Sequence, residues 1–107
     1  MSDPVRKLRR LPTHDLILLT KDNKRVEIHD FLFSDWYEEN GLLCIQVIVV
    51  LSMSDHLQHN FSLGDELLVE GKDVQKNFPS FMVEGIGFVF SPEQFVKITG
   101  VSRAKKP

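Results

Sequence analysis

Cysteine is nearly missing from this chain: of 107 residues only Cys44 carries a thiol, so no disulfide forms within it and a disulfide scaffold is excluded. A lone thiol fits a reducing compartment or an inert buried position equally well, and a cytoplasmic setting, or a particle assembled in the cytoplasm, is the expectation. Tryptophan and tyrosine occur once each, adjacent, as Trp36 and Tyr37. Six glycines and five prolines are too few for a collagen-like or low-complexity chain. Long apolar runs are also lacking. The longest, Leu42 to Leu51, is interrupted by Gln46, whereas a helix needs about 20 such residues to cross a bilayer. The basic start, Met1 to Arg10, is not followed by the apolar core of a signal peptide. No membrane partner is expected.

What is present suffices for one domain. A chain this short buries roughly 65% of the surface its unfolded form exposes, enough for a core without staples. With 42% hydrophobic and 26% charged residues, the composition is that of a globular protein.

The net charge of -2 hides a segregation by sign. Residues 1–13 hold Arg6, Lys7, Arg9 and Arg10 against Asp3, and residues 102–107 hold Arg103, Lys105 and Lys106, so each end carries +3. The body between them, 14–101, carries -8. The chain therefore divides into a basic N-terminal arm (1–13), a single β domain (14–101) and a basic C-terminal tail (102–107). The arms act as solvated tails, as phosphate contacts, or as straps across an acidic surface of the body or of a neighbour.

Six runs have strand character. His14 to Lys21 follows Pro12 and ends at the turn residues Asp22-Asn23-Lys24. Arg25 to Ser34 places Val26 and Ile28 on one parity and Phe31 and Phe33 on the other. A β-bulge near His29-Asp30 is predicted to restore the phase. Asp35 to Gly41 reads as a polar loop with a helical turn. Leu42 to Met53 is apolar on both parities, hence covered on both faces, and is expected to pair antiparallel with 25–34. After a polar stretch, Leu63-Gly64-Asp65-Glu66 reads as a tight turn with positive φ at Gly64, feeding the strand from Leu67. Phe81 to Phe90 is a strand coiled by Gly85 and Gly87. Ser91-Pro92-Glu93-Gln94 reads as a helix start, and Phe95 to Thr99 as a short last strand. The predicted fold is mainly β: a small antiparallel, six-stranded barrel, closed or half-open, with one or two short helical turns and an interior filled by the eight phenylalanines.

Few residues suggest chemistry. His56 and His59, three apart beside Asp55, could share an ion on a helical turn, but no third ligand is near and two surface histidines are the simpler reading. His14 and His29 read as structural. Cys44, inside the most apolar run, reads as a small hydrophobe. The carboxylates Glu38-Glu39 and Asp65-Glu66 are adjacent, and so point apart in extended chain. No nucleophile elbow or phosphate-cradling loop is present. No catalytic residue, cofactor or metal is expected, and the protein is not read as an enzyme.

The residues expected to bind a partner are Trp36 and Tyr37, with Arg6, Lys7, Arg9, Arg10, Arg103, Lys105 and Lys106 of the arms. The stretches VEIHDFLFSDWYEENGLLCIQVIVV and FSLGDELLVEG, across about residues 25–90, resemble the small β-barrel domains of phage tail and baseplate hub and adaptor proteins. The resemblance implies an assembly part whose arms reach neighbouring subunits. The leading expectation is a non-catalytic protein–protein module, docking on a protein or a second copy with an acidic contact surface. The alternative is an OB-like nucleic-acid-binding protein using its basic arms. Glu27, Glu70 and Glu84 on the strands oppose phosphate, so such binding would be weak and salt-dependent.

Overall fold

A computed structural model of the protein describes residues 7–11, 16–71, 80–89 and 94–105. Among them are nine strands and one helix: β1 Leu8–Arg10, β2 Leu16–Leu19, β3 Arg25–Glu27, β4 Asp30–Ser34, β5 Tyr37–Glu39, β6 Leu42–Ser52, α1 Met53–His59, β7 Glu66–Gly71, β8 Phe81–Val89 and β9 Phe95–Lys105. Every pairing is antiparallel. The order is β1-β4-β6-β9-β8-β7-β2-β3, with β5 also on β6, and the sheet is not closed.

The mainly β, antiparallel expectation holds, but six strands is an undercount. Three additions account for it. The basic arm contributes β1, which pairs with β4 through Leu8↔Ser34 and Arg10↔Leu32. The supposed polar loop contributes β5, joined to β6 by Asn40 and Gly41, both at positive φ (54° and 78°). That geometry is the one in which an Asn-Gly hairpin matches strand twist. The run 25–34 is two strands rather than one bulged strand. β3 pairs with β2, whereas β4 pairs with β6 through Phe31↔Val49. The phase change falls where expected, since Val26, Ile28 and Phe31 are all buried. It is achieved by changing partners.

This exchange curls the sheet. In the strand order, β4 and β3 stand six places apart, which in a flat sheet is about 29 Å. Glu27 and Asp30 are three residues apart in sequence and can be separated by at most about 11 Å. The sheet must therefore roll to bring its ends together. The inward faces of β2, β3, β4, β6, β7, β8 and β9 then meet in one cluster around Phe31, Val49, Leu51, Val69, Val96 and Ile98.

β6 behaves as its pattern requires. Ile45, Val47, Val49 and Leu51 enter the core, and Cys44 and Ile48 on the other parity are also buried. The interior is chiefly branched aliphatic, not phenylalanine-filled. Phe31, Phe61 and Phe81 are inside, Phe33 packs against the cluster, and Phe88 is half exposed; Phe78 and Phe90 lie outside the described residues.

The polar stretch after β6 is helical. Ser52 caps it by accepting the Asp55 N–H (3.2 Å) and donating its hydroxyl to the Asp55 carboxylate (2.9 Å), a reciprocal cap that an Asp at this spacing supplies. Asn60, at φ 54°, ends the helix. The turn before β7 forms as expected, with Gly64 at φ 88°. The predicted helix start at Ser91 lies outside the described residues. β9 does not stop at Thr99 but runs to Lys105, pairing with β6 from Phe95↔Ser52 to Lys105↔Leu42. Gly100, opposite Val83, matters most among the glycines: a Cβ there would strike the Phe81 ring and lie 2.7 Å from the Met82 carbonyl oxygen.

Two substitutions test this packing in denaturant titrations. Val49→Asp places an unpaired charge at a fully buried position and should cost more than about 3 kcal/mol. Gly100→Ala should destabilise by about 1–3 kcal/mol through overpacking. Gly85→Ala, whose Cβ meets only Thr99 at 3.7 Å, should be near neutral.

Candidate functional site

The structure places most of the expected binding residues on a few strands and pairs several of them internally. Arg9 and Arg10 alternate on β1. Arg9 reaches Asp35 (3.0 Å), and Arg10 Nε donates to Asp30 Oδ1 (3.0 Å), which also accepts the Phe31 N–H. Arg103, on β9, donates to Glu84 at the irregularity between Val83 and Gly85 on β8. The Glu84 hydrogen bond holds the Arg103 guanidinium above its ordinary pKa, so it stays charged. These pairs are solvent-exposed, and each contributes at most about 1 kcal/mol. Their consequence is electrostatic: three of the arm cations already face carboxylates of the same chain. Lys105 ends β9, with its side chain outside the description, and Arg6 and Lys106 lie outside the described residues.

Trp36 and Tyr37 sit where β4 gives way to β5 along β6. Phe33 pairs with Val47 and Tyr37 with Cys44, so three residues on one side oppose two on the other. The extra residue pushes Asp35 and Trp36 outward as a bulge. Ser34 closes the gap. It is buried, accepts the Gln46 N–H on its hydroxyl (2.9 Å) and donates that hydroxyl to the Asp35 carbonyl (3.0 Å). Trp36 is left 51% exposed. Lys7, Ser34, Asp35, Trp36 and Tyr37 line a shallow recess of about 140 Å³ there. Sequence reasoning found the aromatics but not Ser34, whose signal was only a small hydroxyl residue at the end of an apolar run.

The remaining candidates pack rather than converge. His56 and His59 are both on α1, and each ring stands about 6 Å from Phe61, with His56 also edge-on to Phe88. His56 Nδ1 is buried without a hydrogen-bond partner. Among the described residues no three metal-ligating side chains cluster. His29 stacks on Phe95 at 4.3 Å, where the chain changes partners, and His14 lies outside the described residues. Cys44 is fully buried. No described helix is long and apolar enough to cross a membrane.

No protein-family model matches the chain, no curated protein is significantly similar to it, and no solved structure matches its fold. The likeness to phage hub and adaptor barrels therefore stands on the quoted residues alone.

Ser34→Ala removes both bonds at the bulge and leaves the Gln46 N–H without its partner. A loss of about 1–3 kcal/mol is expected. Hydrogen exchange should show faster exchange at Gln46 and its neighbours while the β9 side of β6 stays protected.

Proposed function

We propose that the protein is a non-catalytic protein–protein interaction module, a small assembly or adaptor domain whose contact surface centres on Trp36. The half-exposed indole carries this reading. A large aromatic on a bulge fixed by a buried serine is presented at low entropic cost, as interface anchors are. The recess beside it mixes one cation, Lys7, with one carboxylate, Asp35, and so suits a polar rim around an apolar anchor.

The arms enter this reading in a changed role. Arg9, Arg10 and Arg103 lie on Asp35, Asp30 and Glu84 of their own chain, so they fasten the ends to the body. A partner with an acidic surface would have to displace these weak pairs. The same pairing counts against the nucleic-acid alternative, because those cations are not clear to bind phosphate, and Glu27 and Glu84 are exposed on the strands.

Binding experiments distinguish the two. Immobilised wild-type protein should retain a specific protein from an extract of its source cells, and Trp36→Ala should lose most of it, about tenfold or more in affinity. Single-stranded DNA at physiological salt should not bind. Retention unaffected by Trp36→Ala, or DNA binding that survives physiological salt, would contradict the proposal.

A further inference from the structure

The recess beside Trp36 has a definite size and an uncancelled charge. Its volume is about 140 Å³, close to the roughly 150 Å³ of an engineered cavity that takes up one benzene. Sites for small molecules run to about 300–1,000 Å³. The recess has room for one side chain and too little for a cofactor-sized molecule.

The charge comes from Lys7. It lies one residue beyond the Leu8↔Ser34 pair and shares the recess wall with Asp35. Arg9 already holds the Asp35 carboxylate at 3.0 Å. Lys7 is exposed, and among the described residues it has no ion pair. Two cations thus share one carboxylate. The described lining contains no second acid, and Glu38 and Glu39, further along β5, are not part of it. Ser34 supplies no ligand to Lys7, because its hydroxyl is committed to the Gln46 N–H and the Asp35 carbonyl. An ammonium beside a half-exposed indole is left wanting a counter-charge.

Resting on the Trp36 reading above, we propose that the occupant is a protein segment with one apolar side chain next to an Asp or Glu. The apolar group, of about leucine size, packs on the indole, and the neighbouring carboxylate meets Lys7. The two contacts do different things. Burial against Trp36 supplies affinity, whereas the exposed Lys7 pair adds little strength and selects among partners. An acidic segment docked in this way need not pull Arg9, Arg10 or Arg103 from their own carboxylates. Single-stranded nucleic acid also offers rings and negative charge. It needs a run of cations along its backbone, however, and those three arginines are already paired.

Trp36 is the sole tryptophan of the chain, so its fluorescence reports on the recess directly. The full chain is titrated at physiological salt with the blocked peptide acetyl-Ser-Leu-Glu-Ser-amide and with its Leu-Gln and Gly-Glu counterparts. The Leu-Glu peptide should bind about three- to fivefold more tightly than Leu-Gln, the preference that an exposed ion pair supports. Gly-Glu should leave the emission unchanged. Lys7→Gln should erase the preference while keeping Leu-Gln binding and the melting temperature of wild type. Lys7→Glu should reverse it, favouring a Leu-Lys peptide over Leu-Glu by a similar factor, which a merely structural lysine would not do. Equal binding of Leu-Glu and Leu-Gln to wild type would overturn the carboxylate requirement and leave Trp36 as an anchor. Peptides that never move the emission would overturn it as well, while retention from the cell extract still decides the anchor separately. Emission that follows the protein's own concentration would give the recess to a second copy, and a stronger response to a short oligothymidylate would give it to nucleic acid; either would overturn the proposal.

Discussion

Everything in this molecule follows from ten residues that serve two ends of one sheet. Arg25 to Glu27 hydrogen-bond to β2, Asp30 to Ser34 to β6, and only Ile28 and His29 separate them. Those two strands stand far apart in the ladder order, so the sheet has to roll. Rolling makes one interior out of seven strands, buries β6 on its inner face, and leaves the outer ends of the strands to present side chains. The junction is itself anchored: the His29 N–H donates to the Val50 carbonyl (2.7 Å) and the ring lies on Phe95.

The charge layout is a consequence of the same roll. The chain's two basic ends return alongside carboxylates, one as β1 beside Asp30 and Asp35 and the other as the far half of β9 beside Glu84 of β8. Segregation by sign along the sequence becomes pairing in space, cation to carboxylate across neighbouring strands. Each exposed pair is weak, but together they bias both ends toward the register that the backbone ladder also prefers. Agreement between local charge and global pairing marks a sequence consistent with its fold.

Much of this was legible beforehand. The two-sided apolar run Leu42 to Leu51, the parity break after Ile28 and the Gly64 turn each carried a physical signature, and each sits where that signature put it. What escaped was long-range. A break in parity says that a strand changes face, but not that it changes neighbour. β1 and β5 are three residues long, too short for periodicity to register, and exist because β4 and β6 offer open edges to pair with. α1 was hidden by its polarity, since no residue of the helix is buried; the Ser52–Asp55 spacing was its one local signal, and the sequence reading passed over it. At the site, the Trp36-Tyr37 pair stood out by rarity alone, whereas Ser34, which holds the bulge, had nothing unusual about it.

Cross-strand nuclear Overhauser effects around residues 25–34 test the account most directly. Contacts from Val26 to Leu18 and from Phe31 to Val49 within a single monomeric species are the expected result, with the His29 amide protected by Val50. A continuous ladder of 25–34 along β6, with Val26 remote from Leu18, would contradict the roll and with it the placement of both basic ends.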